Sequence, residues 1–414
     1  VVATTVNCNG IVNTGGYNLN IPAINGLTTI SFSQNGTIQG YNGTDFLIGG
    51  NNQVVLKAQN GNKWRGISVN NYSNADVFNA IFQDIGDVQS SSYWAMSFYN
   101  CNWSSVRSSQ FILPPQAKGI NVNNFALSDY SDVAIMNNYI STENSTAAVL
   151  VGCSSLGYCN LLIMDNVITN NTTQSTFGIF LSNTFSSYVD RNIITGYKYG
   201  MKLLNTTLEM NNNIISSSGI DNTSILATSS STINMGLIGN LYIGGNNSFS
   251  NSGDNSRNIS ISNSIFEMNY GNNDLNVNNV LGNFNLVGNG NFSASDDGPI
   301  KFIEAIGNCF NGEGNNAIDS ITDLDGLRYT LKEDPHNCNF QQDRIADFIA
   351  PVVNDIVDTV FRSTLSQFQN SSPSVTLYRD FYKSVMKRNY DSTKLLGTQL
   401  LTNYSDSITT ADVI

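Results

Sequence analysis

Residues Ile163–Ile168 read Ile-Met-Asp-Asn-Val-Ile, and this stretch contains the pattern that the chain repeats. An apolar residue is followed, three positions on, by a small residue that is usually Asn, and two positions later by a second apolar residue. A repeat of roughly 20 to 30 residues is typical of stacked units that bury their apolar faces against one another. The sequence therefore predicts a solenoid. The copies are Val77-x-x-Ala80-x-Phe82, Val106-x-x-Ser109-x-Phe111, Ile135-x-x-Asn138-x-Ile140, Ile163-x-x-Asn166-x-Ile168, Val189-x-x-Asn192-x-Ile194, Met210-x-x-Asn213-x-Ile215, Leu237-x-x-Asn240-x-Tyr242 and Ile261-x-x-Ser264-x-Phe266.

A second motif runs in phase with the first and has the form small-apolar-x-apolar. Apolar residues at period two are typical of a β-strand, because successive side chains of a strand point to opposite faces. Each repeat is therefore predicted to hold this strand and two more, one on either side of the Asn, and a helical repeat is excluded. The copies are Gly66-Ile67-Ser68-Val69, Ala95-Met96-Ser97-Phe98, Gly119-Ile120-Asn121-Val122, Ala148-Val149-Leu150-Val151, Gly178-Ile179-Phe180-Leu181 and Gly200-Met201-Lys202-Leu203.

The repeated Asn has a predicted structural role. Two apolar residues five positions apart cannot face the same side of one unbroken strand, so the chain must bend between them. Asn is the non-glycine residue that best tolerates the left-handed conformation, and we expect it to adopt that conformation at the bend. Its amide can donate to one neighbouring coil and accept from the other. Asn138, Asn166, Asn192 and Asn213 are therefore predicted to form a stacked, hydrogen-bonded column.

These motifs resemble the right-handed parallel β-helix family, whose pectate-lyase-like fold is shared by pectin-degrading enzymes, phage tailspikes and surface adhesins. The resemblance covers about Gly66 to Phe266, and Ala305-x-x-Asn308-x-Phe310 looks like a later coil. It implies a mainly β fold, a right-handed single-stranded parallel β-helix solenoid with a small C-terminal α-helical domain. The resemblance is specific for architecture and nearly silent on activity, because one fold hosts many functions.

Three segments are predicted along the chain. Residues 1–60 are expected to form an N-terminal cap and the first coils, because an open solenoid end needs a cover against strand addition. Residues 61–318 are expected to form the parallel β-helix. Residues 319–414 are expected to form the C-terminal helical domain.

The helical prediction rests on apolar residues that recur at three and four positions from Ile345 to Phe368, interrupted by Pro351. Shorter helical patterns follow over Val375–Arg388 and Thr393–Leu401. The long stripe either packs against itself and the last coil or forms an oligomer or attachment interface, and the sequence leaves both open. From the cost of exposing so wide an apolar face, we expect the C-terminal helices to bind another copy or a carrier protein.

Charge and hydropathy exclude some partners. The chain has a formal net charge of −12, one His and only 12% charged residues, against a usual ~25%. Its Lys and Arg residues are scattered, which argues against nucleic acid as a partner. No apolar run reaches the ~18 residues of a membrane span. The single His336 lies in a probable linker, and we expect neither a metal nor a cofactor.

The even number of cysteines favours disulfides over free thiols. Cys153 and Cys159 close a short loop just after a predicted strand, which favours a local disulfide. A zinc site is excluded because there is no second close pair of cysteines and no nearby His. The connectivity of the other four stays open. The disulfide candidates are Cys153, Cys159, Cys8, Cys101, Cys309 and Cys338.

Several features predict an extracellular, cell-surface or virion location. The chain opens Val-Val-Ala-Thr-Thr without Met, consistent with loss of a signal peptide. Asn-x-Ser/Thr acceptors for N-linked glycans are frequent, and many fall between strand motifs. The low charge and abundant Asn are similar to those of extracellular and virion proteins of thermoacidophilic archaea. The acceptor candidates are Asn35, Asn42, Asn71, Asn102, Asn144, Asn170, Asn171, Asn205, Asn222, Asn246, Asn258, Asn291, Asn370 and Asn403.

A catalytic site would need acids stacked across coils. Asp165, Asp190, Arg191 and Glu209 flank successive corners, and neighbouring strands lie ~4.8 Å apart. Two glycosidase carboxylates need a separation of ~5 to 9.5 Å, so a pair from neighbouring coils fits. A few acids with one Arg are also what a solvated surface looks like, and this interpretation is favoured. The catalytic motifs of polygalacturonase-like enzymes are absent.

Two classes of function remain open. The favoured one is a non-enzymatic surface or virion spike or adhesin that presents loops to cell-surface glycans and assembles or anchors through its C-terminal helices. The alternative is a secreted polysaccharide lyase or glycoside hydrolase that uses the carboxylates named above. Exposed aromatic side chains stack on sugar rings, which makes them candidates for glycan recognition. The aromatic candidates are Trp64, Trp94, Trp103, Tyr93, Tyr99, Tyr197 and Tyr199.

Overall fold

The chain forms a parallel β-solenoid in a computed structural model. It is mainly β, and its three large sheets are parallel throughout, as the sequence predicts. The structure describes residues 4–22, 27–50, 53–86, 93–125, 131–154, 159–172, 175–185, 187–220, 222–229, 231–235, 237–238, 241–242, 247–252, 257–262, 265–267, 274–275, 284–287, 291–292, 301–304, 321–323, 329–332 and 390–403.

Three sheets, here named A, B and C, run the length of the solenoid, and each coil contributes one strand to each of them. Sheet A contains β1 (Thr4–Cys8), β4 (Thr28–Phe32), β7 (Val54–Ala58), β10 (Ala80–Gln83), β13 (Gln110–Ile112), β16 (Tyr139–Thr142), β19 (Val167–Asn170), β22 (Ile193–Tyr197), β25 (Ile214–Ser218), β30 (Ser248–Ser252) and β33 (Asp274–Leu275). Sheet B contains β2 (Ile11–Asn13), β5 (Thr37–Tyr41), β8 (Ile67–Asn70), β11 (Trp94–Tyr99), β14 (Lys118–Asn124), β17 (Ala147–Cys153), β20 (Phe177–Ser182), β23 (Tyr199–Leu204), β26 (Thr223–Thr228), β31 (Arg257–Ser262), β34 (Phe284–Val287) and β37 (Ile321–Asp323). Sheet C contains β3 (Leu19–Ile21), β6 (Asp45–Ile48), β9 (Asn74–Phe78), β12 (Trp103–Arg107), β15 (Ser131–Met136), β18 (Cys159–Met164), β21 (Ser187–Asp190), β24 (Thr207–Asn211), β27 (Thr232–Asn234), β32 (Ile265–Glu267) and β35 (Asn291–Phe292).

The core fills the space between the three sheets with inward-pointing side chains from each. In sheet B the two apolar residues of each small-apolar-x-apolar motif point inward, and Met201 and Leu203 are fully buried. Aromatic rings also stack inside the solenoid from coil to coil. The ring centroids of Phe32 and Trp64 are 4.3 Å apart, and those of Phe82 and Phe111 are 4.6 Å apart. Because every coil repeats the same inward positions, the core continues along the solenoid axis.

The predicted Asn column is confirmed at the corner between sheets C and A. Asn138, Asn166, Asn192 and Asn213 are buried, and each Nδ2 donates to the Oδ1 of the next member at 2.9–3.0 Å. Each Nδ2 also donates to a backbone carbonyl of the preceding coil, as Asn166 does to Ile135 at 2.8 Å. Each Oδ1 accepts a second bond from the backbone N–H of the preceding member. The column thus pairs its own amides inside the solenoid.

The left-handed conformation lies one residue earlier than predicted. The column Asn residues are not in the left-handed region; the residue before each of them is, with φ of 54° at Asn137, 55° at Asp165, 51° at Arg191 and 52° at Asn212. The physical reason is that the left-handed residue makes the bend, whereas the following Asn must turn its side chain inward to reach the next coil. The prediction assigned both tasks to one residue.

The predicted repeat is out of phase after β27. Leu237 and Tyr242 do not flank a corner: β28 (Leu237–Ile238) and β29 (Leu241–Tyr242) pair as a small antiparallel hairpin. The column continues instead through Asn247, whose Oδ1 accepts from Asn213. The next predicted copy is also misplaced, since Ile261 belongs to sheet B and Phe266 to sheet C. An inserted hairpin resembles a repeat in composition, and the pattern alone did not distinguish them.

The small position of the second motif is explained by crowding at the corner between sheets A and B. A Cβ on Gly200 would lie 2.2 Å from Ile215 Cγ2 and 2.8 Å from the Ser224 carbonyl oxygen. A Cβ on Gly119 would lie 2.4 Å from the Ala148 carbonyl oxygen. Backbone of the next coil therefore occupies the space that a larger side chain would need.

At both ends of the solenoid, the structure describes parts of the predicted terminal segments. Of residues 1–60, the described strands form the first coils of the three sheets. Within residues 319–414, β37 extends sheet B, and β38 (Tyr329–Lys332) pairs with β36 (Lys301–Glu304). The predicted helix over Thr393–Leu401 is present as α1 (Tyr390–Asn403). The predicted helices over Ile345–Phe368 and Val375–Arg388, and the coil at Ala305–Phe310, lie outside the described residues.

The predicted local disulfide is confirmed between Cys153 and Cys159. It closes the connection between β17 in sheet B and β18 in sheet C. Cys8 and Cys101 carry free thiols, and burial raises the pKa of Cys101 to about 11. Cys309 and Cys338 lie outside the described residues. Of the helical segments that the structure describes, none has both the length and the apolar character needed to cross a bilayer.

Candidate functional site

The structure brings three of the four predicted site residues together beside the Asn column. Asp190 ends β21, Arg191 forms the following bend, and Asp165 occupies the same bend one coil earlier. The Arg191 guanidinium donates through Nε to Asp165 Oδ1 at 2.7 Å and through a terminal nitrogen to Asp165 Oδ2 at 2.9 Å. Its other terminal nitrogen donates to Asp190 Oδ2 at 2.5 Å. One arginine therefore bridges both carboxylates across two coils.

The fourth predicted residue, Glu209, lies on the same face of sheet C. It pairs in register with Tyr188 on the neighbouring strand. Burial, together with the negative charge of Asp190, raises the pKa of Tyr188 to about 12, and its hydroxyl accepts a hydrogen bond from Asn211 Nδ2 at 2.7 Å. Tyr188 is therefore a neutral phenol at physiological pH, with Glu209 beside it on β24 and Asp190 two residues further along β21.

Asp190 is a buried acid with a raised pKa. Its side chain is 5% exposed, and burial raises its pKa in spite of the bonds from Arg191 and Asn212. Arg191 engages both oxygens of Asp165 and one of Asp190, so two carboxylates share one guanidinium at this corner. Within the described residues, no group of three or more His, Cys, Asp and Glu side chains is placed to hold a metal ion.

The raised pKa of Asp190 predicts a pH-dependent stability. A carboxyl group whose pKa is higher in the folded protein makes the folded state bind more protons between its two pKa values, so the free energy of unfolding falls as pH rises through that window. The window begins near the unfolded value of ~3.9. We expect Asp190→Asn to gain stability relative to the wild type as pH rises from acid to neutral. Thermal unfolding of both proteins at several pH values across this range measures the difference in stability. A difference that does not change with pH would contradict the prediction.

A second group of side chains lies on the outer face of sheet B. In the small-apolar-x-apolar motif the x position points away from the core. From the N-terminal to the C-terminal coils, the residue at this x position changes from small and polar to large and apolar or cationic. In register along the sheet, these residues are Ser68, Ser97, Asn121, Leu150, Phe180 and Lys202.

Aromatic rings and lysines meet on β20 and β23 of this face. The Phe177 and Phe180 ring centroids are 5.4 Å apart, and the Phe177 and Tyr199 rings stack at 5.6 Å. Lys202 Nζ lies 5.1 Å from the centroids of both Phe177 and Phe180, and Lys198 Nζ lies 5.6 Å from that of Tyr199. All five side chains are half-buried. We call these five residues the aromatic–lysine cluster.

The same face carries a second cation–aromatic pair nearer the N-terminus. Lys118 Nζ lies 5.4 Å from the centroid of the Trp94 ring, and Arg65 lies over Tyr93 at 5.6 Å. Partial burial lowers the pKa of Lys118. Four strand spacings separate β11, which carries Trp94, from β23, a distance of ~19 Å at ~4.8 Å per strand. The cationic and aromatic groups therefore form an elongated surface.

Cationic side chains of the described residues differ in what they contact. Arg107 and Arg191, on sheet C, form ion pairs with Asp76 and with the acids described above. Lys118 and the two lysines of the aromatic–lysine cluster form no salt bridge with any described residue and instead lie over aromatic rings on sheet B. The outer face of sheet B therefore carries three lysines that no described carboxylate neutralises, in a protein of net charge −12.

The predicted aromatic candidates divide between core and surface. Trp64 and Tyr197 are fully buried, and Trp103 is 6% exposed, so these three are structural. The Tyr197 hydroxyl bonds Thr142 Oγ1 at 2.7 Å, inside the solenoid. The remaining candidates, Tyr93, Trp94, Tyr99 and Tyr199, are half-buried on sheet B or at its margin. Sequence reasoning missed Phe177, Phe180, Lys118, Lys198 and Lys202, although the x position of the second motif identifies two of them.

The N-glycan acceptors differ in accessibility. Asn222 is fully buried, and Asn170 Nδ2 is bonded to the Gly196 carbonyl at 2.8 Å, which disfavours both as acceptors in the folded protein. Asn35, Asn144 and Asn205 are half-buried. Asn258 and Asn291 lie in β31 and β35, and Asn246 and Asn370 lie outside the described residues. The exposed acceptors are Asn42, Asn71, Asn102, Asn171 and Asn403.

Comparison with known proteins identifies no relative for this arrangement. No protein-family model, no curated protein and no solved structure matches the chain. The assignment of function therefore rests on the two groups of side chains described above.

Proposed function

We propose that this protein is a non-enzymatic extracellular or virion surface protein, a spike or adhesin, that recognises glycans through the outer face of sheet B. The observation that carries this proposal is the aromatic–lysine cluster, in which three half-buried rings lie side by side on a rigid sheet. A half-exposed ring offers a flat apolar surface to the C–H face of a sugar, and its partly buried state keeps it in place. The rigid sheet lowers the entropic cost of binding.

The shape of this surface suits an extended ligand. Along the outer face of sheet B, Trp94 is in register with Lys118 and Phe177 with Tyr199, and Leu150 lies on β17 between these two pairs. The strands beneath them are held in register by neighbouring coils. The sequence motifs alone pointed to loops as the recognition elements, whereas the sheet face offers the better-ordered platform. A glycan chain lying along the solenoid axis would contact several coils at once, so its affinity would be the sum of modest contacts.

Glycan binding by matched variants tests the proposal. We expect the full-length protein to bind members of a glycan array and Phe180→Ala to weaken that binding roughly tenfold, because one stacking contact is lost. Tyr139→Ala is the control, since Tyr139 is a half-buried, outward aromatic residue on sheet A. Circular dichroism of each variant verifies the fold. Absence of any glycan bound by the wild type, or equal loss in both variants, would refute the assignment of this face.

The location and assembly of the protein are part of the same proposal. The exposed acceptors support an extracellular glycoprotein, and the predicted C-terminal stripe supports assembly with another copy or a carrier protein. Native mass spectrometry of protein from its natural source addresses both at once. We expect a mass above that of the bare chain and a higher-order species. A single species at 45.0 kDa would count against both expectations.

The second candidate function is a polysaccharide lyase or glycoside hydrolase that uses Asp165, Asp190, Arg191 and Glu209. One observation favours it: the raised pKa of Asp190 is the property that a general acid needs. The arginine bridge opposes it, because both carboxylates are already engaged. If the protein cleaves a glycan that it binds and Asp190→Asn abolishes the cleavage, the enzyme interpretation replaces the non-enzymatic one.

A further inference from the structure

We propose that the ligand of the sheet B face is an acidic glycan, one that bears carboxylate or sulfate groups, and that Lys198 and Lys202 bind those groups. This inference rests on the proposed function and deepens it. It concerns the charge of the ligand, whereas the proposed function concerns only the aromatic platform.

The first argument is the position of the lysines relative to the rings. Lys202 pairs in register with Phe180 and its ammonium group lies 5.1 Å from two ring centroids. Lys198 holds a similar position over Tyr199 at 5.6 Å. A sugar that stacks at the exposed edge of these rings would therefore have its ring substituents within reach of two ammonium groups. Carboxylate and sulfate substituents form charge-assisted hydrogen bonds with ammonium groups, about twice as strong as neutral ones.

The second argument is the distribution of charge. A protein of net charge −12 repels a polyanion at long range. Its arginines on sheet C are neutralised by ion pairs, yet Lys118, Lys198 and Lys202 have no carboxylate partner among the described residues and share one face with the aromatic rings. Cation–π contacts hold these lysines in place without removing their charge. The face is therefore a local exception to the acidity of the chain.

Matched polysaccharide pairs provide the test. The probes are hyaluronan and carboxyl-reduced hyaluronan for the carboxylate arm, and dextran sulfate and dextran for the sulfate arm. We expect the full-length protein to bind the acidic member of at least one pair about tenfold or more tightly than its neutral counterpart. The arm that shows this preference identifies the anionic group. Added salt should weaken binding of the acidic member only.

Charge variants assign the preference to the two lysines. Lys202→Gln and Lys198→Gln should each reduce the acidic preference several-fold, and Lys202→Arg should retain it. Lys57→Gln is the control, because Lys57 is a half-buried residue of β7 on sheet A, so the same charge is lost from another face. Equal loss in Lys57→Gln and Lys202→Gln would show a net-charge effect and overturn the assignment.

The outcomes separate this inference from the proposed function. Equal binding of neutral and acidic members, with binding still weakened by Phe180→Ala, overturns the acidic ligand and leaves glycan recognition intact. Failure to bind any probe here or any glycan on the array overturns both. Single-stranded DNA serves as a further probe, since aromatic rings beside cations also suit that polymer. Equal or tighter binding of DNA would overturn the assignment of a glycan.

Discussion

Replacing Asn166 with Leu is expected to lower the free energy of unfolding by about 2 to 5 kcal/mol, because buried polar groups in two neighbouring coils lose their partners. The Asn138 backbone N–H and Nδ2 both donate to Asn166 Oδ1 at 3.0 Å, and the Ile135 carbonyl accepts from Asn166 Nδ2. Leu has a similar size but offers neither a donor nor an acceptor. Urea-induced unfolding followed by circular dichroism measures the change.

The control for Asn166 is Thr195→Val, a similarly polar-to-apolar change at a half-buried, outward position of β22. We expect this variant to change the free energy of unfolding by no more than about 0.5 kcal/mol. If Asn166→Leu unfolds at the same urea concentration as the wild type, the column does not stabilise the solenoid. Its hydrogen bonds would then be no better than those that the unfolded chain makes with water.

Gly49→Ala is expected to destabilise the N-terminal coils by about 3 to 5 kcal/mol, since backbone strain and overpacking both act at this site. Gly49 follows β6 with a φ of +112°, a conformation that L side chains rarely adopt. A Cβ there would lie 1.6 Å from the Phe78 carbonyl oxygen, which belongs to the backbone of the next coil and cannot rotate away. The N-terminal coils must therefore separate from the next coil to accept the methyl group.

Gly61→Ala separates the two causes. Gly61 also has a positive φ, +72°, but a Cβ there would meet nothing within 4 Å. Strain alone should cost about 1 kcal/mol after the gain from a less flexible unfolded chain. Limited proteolysis and thermal unfolding measure the stability of the two variants. Equal stability of Gly49→Ala and Gly61→Ala would mean that the close approach of the two coils at Gly49 is not maintained in solution.

The sequence predicted the Asn column because its requirements are local and strict. A buried amide that must bond the coils before and after it tolerates few other residues, so Asn138, Asn166, Asn192 and Asn213 stand out at a regular spacing. The left-handed position before each Asn was missed for the opposite reason. Asn137, Asp165 and Asn212 are of the types that most readily adopt this conformation, but Arg191 is not, and Asn also occupies the next position, so residue type alone did not separate the two positions.

The inserted hairpin shows why phase was lost further along the chain. Spacing identifies a coil only while every connection has a similar length, and β28 and β29 add residues between Asn213 and Asn247. The true column member lay seven residues beyond the predicted Asn240, in the sequence Asn247-Ser248-Phe249, which keeps the Asn-x-apolar half of the motif. Pairing of Phe249 with Ile215 fixes the register, and this contact is visible only in three dimensions.

The candidate sites were predictable to different degrees. Grouping of Asp165, Asp190 and Arg191 followed from the repeat, because corner positions stack. The bridging of both acids by one arginine depends on side-chain conformation, which the repeat does not determine. For the sheet B face, the outward x position identified Phe180 and Lys202, but Phe177 and Lys198 lie at the sheet margin, where the alternation of strand residues ends and their direction cannot be deduced.

Because every Asn of the column makes the same hydrogen bonds to its neighbours, one whole coil can be added or removed as a unit. Each Asn offers the next coil the same donors and acceptors that it receives. The segment from the residue after Asn166 to Asn192 can therefore be removed and Ile193 joined to Asn166, with Asn213 replacing Asn192 as the partner of Asn166 in the column. Deletion of that whole coil should leave a folded, shorter rod, whereas deletion of half a coil would turn the inward rows outward. The length of the solenoid can therefore change in steps of ~4.8 Å, one coil at a time, without redesign of the core.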